Sequence, residues 1–292
     1  MFSIDTANPT YLTMVGEPVD TQGEFPVSVA YSSALKQACV VNGGAVSNVA
    51  CYTVDGTAGL APVEDFMVKD FGLNQTTPPM GPLSTVSDIF FSPDSSGLHV
   101  TIKGPNFGDG SLLSFPCNIE TGLCEAPTAN KPNGTAVLFG SSFVNNTTFL
   151  AADASFGAVT IQIDKTATGF EQTLLSTTRI NGQRATCWSA FSQKTNTVFV
   201  TDALVNHIVE INPADGSVVS TVNLTNGDEG NLDVQVGGDF LYALSPLKES
   251  VSVAILDLSG GPGASKEKQT FSIKGVMGQS STGMQVFPAV SP

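Results

Sequence analysis

The chain has 292 residues, 12 Lys+Arg against 26 Asp+Glu and a formal net charge of −14, with only 13% charged residues. The acidic balance and two arginines (Arg179, Arg184) exclude a nucleic-acid binder, which needs clustered cations. No apolar run approaches the ~18 residues that span a bilayer, and 41% hydrophobic residues are too many for a disordered chain.

Helical periodicity is almost absent, and short β-rich runs recur in fixed order between Gly, Pro, Asn and Asp. The opening Phe2–Gly16 stretch matches only the last two strands of a unit. An inner strand then starts each unit, at Pro26, Val86, Ala136, Thr186 and Leu232. A second strand follows at Ala38, Leu98, Phe149, Val198 and Leu241. A third ends at Val54-Asp55, Ile119-Glu120, Ile163-Asp164, Ile211-Asn212 and Leu256-Asp257, with 44–65 residues between equivalent ends. A polar fourth strand, such as Gly216–Val222, closes the unit. Asp55, Asp164 and their equivalents, Glu120 among them, read as turn caps.

This predicts an all-β propeller of four-stranded antiparallel blades, one domain over residues 1–292. A partial blade covers 1–23, full blades cover 24–80, 81–131, 132–181, 182–227 and 228–275, and a closing strand at Met284–Pro288 lies within 276–292. Two closures fit. A six-bladed ring would share a blade between the two termini. A seven-bladed parent would lack its beginning here.

Five cysteines are present and no C-x-x-C occurs. Cys39 and Cys51 flank the Asn42-Gly43-Gly44 turn, and Cys117 and Cys124 flank Asn118–Gly122. Cross-strand Cα spacings of about 4.5–5.5 Å suit Cys39–Cys51 and Cys117–Cys124 disulfides. The alternative is five buried thiols. Cys187 is left over. Sequons at Asn74, Asn133, Asn145, Asn146 and Asn223 favour a secreted glycoprotein. Met1–Asp5 is no signal peptide, so either the leader has been removed or the chain is intracellular. The first is the expectation.

The segments Met1–Thr10, Met14–Ala30 and Ala185–Phe191 resemble the seven-bladed lactonase-type propellers, bacterial phosphogluconolactonase and fungal carboxymuconate lactonizing enzymes among them. The chain is most similar to the branch of secreted fungal carboxymuconate cyclase-like glycoproteins, which includes cell-wall antigens and adhesins. In that branch the Met1 segment lies inside the chain, which implies an N-terminally shortened form. The resemblance implies an extracellular or cell-wall monomer with a small-molecule or wall ligand. Lactonizing members use His, Arg and Glu, but neither His segment here matches theirs, so no catalytic residue carries over.

In such a fold, the loops after strands two and four share the face that carries ligands. That face would hold Glu24, Asn42, Lys103, Asp153, Arg184, Trp188, Asp202, His207, Asp228, Glu229, Asp233 and Lys248. If a lactone is opened or closed there, His207 with Asp202 or Glu24 is the candidate acid/base, and Arg184 the oxyanion stabiliser. Trp188, Asp153 and Asp233 are candidate ligand contacts. His99, in an apolar run, reads as a packed side chain. No cofactor is expected; Asn226–Asp233 offers oxygens to a calcium ion without matching the EF-hand loop. Two functions stay open: an extracellular binding or antigen protein, and a lactonase or lactonizing enzyme.

Overall fold

In a computed structural model, residues 1–64, 70–105, 108–246, 251–273 and 281–287 are described. Every regular element among them is a β-strand. A short hairpin comes first: β1 (Phe2–Ile4) pairs β2 (Leu12–Met14), with Ser3 opposite Thr13. Five antiparallel blades follow, each ordered as in the sequence. Blade one is β3 (Pro26–Ser32), β4 (Gln37–Asn42), β5 (Asn48–Asp55) and β6 (Gly59–Pro62). Blade two is β7 (Val86–Phe91), β8 (Gly97–Ile102) and β9 (Ser111–Asn118). Its outer position is divided between β10 (Leu123–Cys124) and β11 (Thr128–Asn130), both paired with β9.

Blade three is β12 (Leu138–Phe143), β13 (Thr148–Asp153), β14 (Gly157–Thr166) and β15 (Gly169–Arg179). Blade four is β16 (Thr186–Ser192), β17 (Thr197–Asp202), β18 (His207–Ile211) and β19 (Val218–Asn223). Blade five is β20 (Asp233–Gly237), β21 (Phe240–Ser245), β22 (Val251–Asp257) and β23 (Lys266–Ile273). The middle strands are apolar and β-branched because both faces are covered; β17 is buried at every position. Outer strands alternate, and in β15 exposed Glu171, Thr173 and Leu175 alternate with half-buried Gln172, Leu174 and Ser176.

A small irregularity recurs where the inner strands begin. The ladder with the second strand shifts register at Pro26/Ser28, Val86/Ile89, Leu138/Ser141 and Thr186/Ser189. Such bulges re-aim side chains. They leave Phe139, Gly140, Cys187 and Trp188 outside the paired register. β20 runs without a shift.

The chain divides into two compact units. The first comprises residues 1–102, 112–129 and 165–170; the second comprises 103–111, 130–164 and 171–292. The core of the first unit holds Val41, Val49, Ile89, Leu98, Val100 and Phe115. Each fully buried side chain of this size contributes about 1.5–3 kcal/mol. Cys39–Cys51 and Cys117–Cys124 are both disulfide-bonded, across β4/β5 and β9/β10. Ser28 on β3 donates to Asp88 on β7 at 2.9 Å, tying the first two blades. His99 is fully buried, its ring nitrogens 2.9 Å from the hydroxyls of Ser92 and Ser114. The Phe90 and Phe170 rings lie 5.5 and 5.2 Å from it. Burial lowers its pKa to about 3, with Asp94 opposing weakly.

In the second unit, one cluster joins blades four and five through Phe199, Ile208, Val234, Leu241 and Leu256. Glu210 is buried in its own blade, accepting from Thr197, Ser220 and the Gly263 amide of the next blade at 2.8, 2.8 and 3.0 Å.

Three expectations are corrected. Residues 284–287 of the expected closing strand are not in a strand, and Pro288 lies outside the described residues. There the Met284 amide donates to Asp233 at 2.6 Å, so a carboxylate takes the bond a ladder would use. In blade two the third strand stops at Asn118, and Asn118 rather than Glu120 caps the turn, accepting from the Glu120 amide at 2.8 Å. Asp164 sits inside β14 and accepts from Gln162 rather than from a turn, whereas Asp55 does cap its turn through the Thr57 and Ala58 amides.

Candidate functional site

The second unit brings together several of the sequence candidates, with a different division of labour. Asp202 ends β17 and is fully buried. Its carboxylate accepts from the backbone amides of Arg184 (2.7 Å), Ala185 (3.0 Å) and Leu204 (2.8 Å). It is the latch that holds the start of its own blade, not a free partner for a histidine. His207 begins β18 and is buried; burial lowers its pKa against the charge of Asp202. Among the described residues no hydrogen bond joins the His207 ring to Asp202. Arg184 contributes its amide to the latch, and its side chain is exposed. Glu24 belongs to the first unit, where its carboxylate accepts from the Thr77 hydroxyl.

Asp153 makes the same latch in blade three. It accepts from the amides of Ala136 (2.7 Å), Val137 (3.0 Å) and Ser155 (3.1 Å). Its expected ligand contact is therefore filled by backbone. Asn42 holds the equivalent place in blade one, with its amide on Thr21 and Asn48.

A different group is chemically less settled. Lys103 follows β8 directly and is buried, with 8% of its surface exposed. Its position is fixed by Gly104, whose amide bonds Ala136 and whose Cβ, if present, would lie 1.8 Å from the Gly108 carbonyl. The Lys103 ammonium stands 4.1 Å from the centroid of the Phe139 ring, which the β12 bulge presents. Among the described residues it has no carboxylate within ion-pair distance. Burial lowers its pKa to about 8.

Cys187, the free thiol, sits on the β16 bulge and is buried. Burial pushes it up to about 12; Lys103 acts on it in the opposite sense, and Asp233 and Asp202 add to the rise. Asp233 opens β20, and burial raises its pKa to about 6 despite bonds from the Met284 and Val234 amides. One buried cation, one inert thiol and one reluctant carboxylate thus lie where β8 ends, on the β16 bulge and at the start of β20, with the charges of Lys103 and Asp233 both acting on Cys187. Perturbed groups gathered in this way mark functional sites more often than chance.

Trp188 is half-buried and packs its ring on Gly140 of the neighbouring blade, where a Cβ would come within 2.3 Å. It also joins the apolar cluster of blades four and five, so its first role is packing. Asp228 accepts from Ser252, Asn226 accepts from Asn206 at 2.7 Å and Glu229 is exposed. Of the oxygens offered above to calcium, those of Asp228 and Asn226 accept from protein donors, and no group of three acidic, His or Cys side chains gathers among the described residues. Lys248 lies outside the described residues. All five sequon asparagines are exposed. Lys103 carried a legible signal, a lysine closing the apolar run Leu98–Ile102 just before glycine. The carboxylate latches carried none.

No family model matches the chain, and no curated protein does. Solved structures do. A putative 6-phosphogluconolactonase of Bacteroides uniformis is 14% identical, with 83% of this chain and 70% of that one covered at a TM-score of 0.64. The periplasmic gluconolactonase PpgL of Pseudomonas aeruginosa is 14% identical, covering 94% and 78%, TM-score 0.61. A chain of a nidogen/laminin complex is 12% identical, covering 85% and 80%, TM-score 0.55.

The fold is a β-propeller.

At such identities the likeness carries the fold and no activity. It reaches gluconolactonases and a nidogen/laminin complex alike, so the site has to argue for itself.

Proposed function

We propose that the protein is a secreted, glycosylated propeller of the fungal wall type that binds a small organic anion at Lys103. The observation that carries this is a buried ammonium beside an aromatic face with no carboxylate partner among the described residues. A buried cation costs several kcal/mol unless a counter-charge is supplied. An incoming carboxylate supplies it and gains a charge-assisted hydrogen bond. Two disulfides and five exposed sequon asparagines support an oxidising, extracellular setting. Expression in a glycosylating host, with removal of N-glycans read as a loss of mass, tests the setting. Calorimetric titration with gluconate and with muconate tests the ligand. Binding that disappears in Lys103→Met supports the proposal; equal binding by wild type and variant refutes it.

The second reading is lactone hydrolysis, favoured by Asp233. A carboxyl group with a pKa near 6 can take a proton from an attacking water, while Lys103 stabilises the oxyanion that develops on the ring carbonyl. Acid release from gluconolactone, followed at constant pH, tests it. Turnover at the uncatalysed rate removes this reading and leaves anion binding in place.

A further inference from the structure

Blade three carries a concavity whose lining does not include Lys103. A cavity of about 460 Å³ opens where the loop before β12 meets the β13–β14 turn and the end of β15. Lys131 and Arg179 flank it, Pro132 and Phe156 form apolar walls, and Asn133 and Ser155 stand on its rim. Its volume falls within the range of small-molecule sites.

Two features point to a ligand class. The first is charge. The chain has 12 cations in all, and two of them line this one cavity against a single acid, Asp109. Among the described residues neither cation is ion-paired. In a protein of net charge −14 this is a local reversal of sign, which draws anions. The second is pre-organisation. The Arg179 guanidinium lies over the Phe156 ring, 5.4 Å from its centroid. Stacking restrains the side chain and leaves the guanidinium N–H groups to grip a carboxylate through two oxygens.

The remaining wall selects what carries the carboxylate. Pro132 and Phe156 suit the C–H face of a pyranose, and Ser155 with the backbone of the 131–136 loop suits ring hydroxyls. We propose that this cavity binds a uronic-acid residue, its carboxylate held by Arg179 and Lys131. The site is independent of the one proposed at Lys103, and the two fail separately.

The test uses the full chain as secreted by a glycosylating host. Titration with glucuronate is followed by calorimetry, with glucose and acetate as controls. Millimolar binding of glucuronate, with glucose and acetate at least about tenfold weaker, supports the proposal. Arg179→Gln and Lys131→Gln are each expected to weaken binding by about tenfold, and Lys103→Met to leave it unchanged. Both substituted positions are exposed, and an unaltered melting temperature confirms that each variant is folded. Should Arg179→Gln unfold, Lys131→Gln alone decides. Glucuronate binding no tighter than glucose or acetate overturns the proposal, as does binding that neither variant changes.

Discussion

Asp153 and Asp202 occupy the same place in consecutive blades. Each ends the second strand, and each turns its carboxylate onto two successive amides at the start of its own first strand. The distances repeat: 2.7 and 3.0 Å to Ala136 and Val137, and 2.7 and 3.0 Å to Arg184 and Ala185. A third bond, to the residue two further along, also repeats.

Removing either carboxylate leaves three amide donors without their acceptor, buried at Ala136 and Val137 and partly buried around Asp202, at about 1–3 kcal/mol for each buried one. Asp202→Ala and Asp153→Ala are each expected to lose about 3 kcal/mol or more in urea unfolding. A loss below about 0.5 kcal/mol would show that water replaces the latch.

Acid should destabilise the protein through His99. The unfolded chain binds its proton near pH 6.5, and the native ring only near pH 3. Between these values the unfolded state holds more protons, so stability falls as pH falls. The unfolding free energy of wild type should therefore drop more steeply between about pH 7 and about pH 4.5 than that of His99→Gln. Parallel curves would assign the acid sensitivity to other groups.

Gly140 and Trp188 should be coupled. A methyl group at Gly140 meets the indole at 2.3 Å, so Gly140→Ala is expected to cost about 1–3 kcal/mol. Trp188→Leu in the same chain should recover part of that loss, visible as a favourable interaction in a double-mutant cycle. Strict additivity would contradict the packing described.

Anion affinity at Lys103 should decline above about pH 8, where its ammonium loses the proton. Cys187, with a pKa near 12, should resist iodoacetamide at neutral pH in the native state and react once the protein is unfolded. Rapid native alkylation would place the thiol on an accessible surface.

Strand order and blade starts were legible in the sequence because β-rich runs and turn residues are local signals. Pro26, Val86 and Thr186 do open β3, β7 and β16. The hairpin cysteines were legible for the same reason. The site was less so. Asp202 and His207 are close in sequence and suggested a catalytic pair, but the partners of Asp202 are amides 17 and 18 residues earlier. Burial of Lys103 and the cavity beneath Arg179 depend on how separate loops meet, which no local pattern encodes.

The two disulfides join residues 12 and 7 apart, each inside a single blade, and the fifth cysteine, Cys187, is a buried free thiol. No covalent bond therefore ties one blade to another. Under mechanical load applied at its ends, the molecule would unravel with only those two short loops shielded from extension. Reduction would lengthen the stretched chain by little more than those loops.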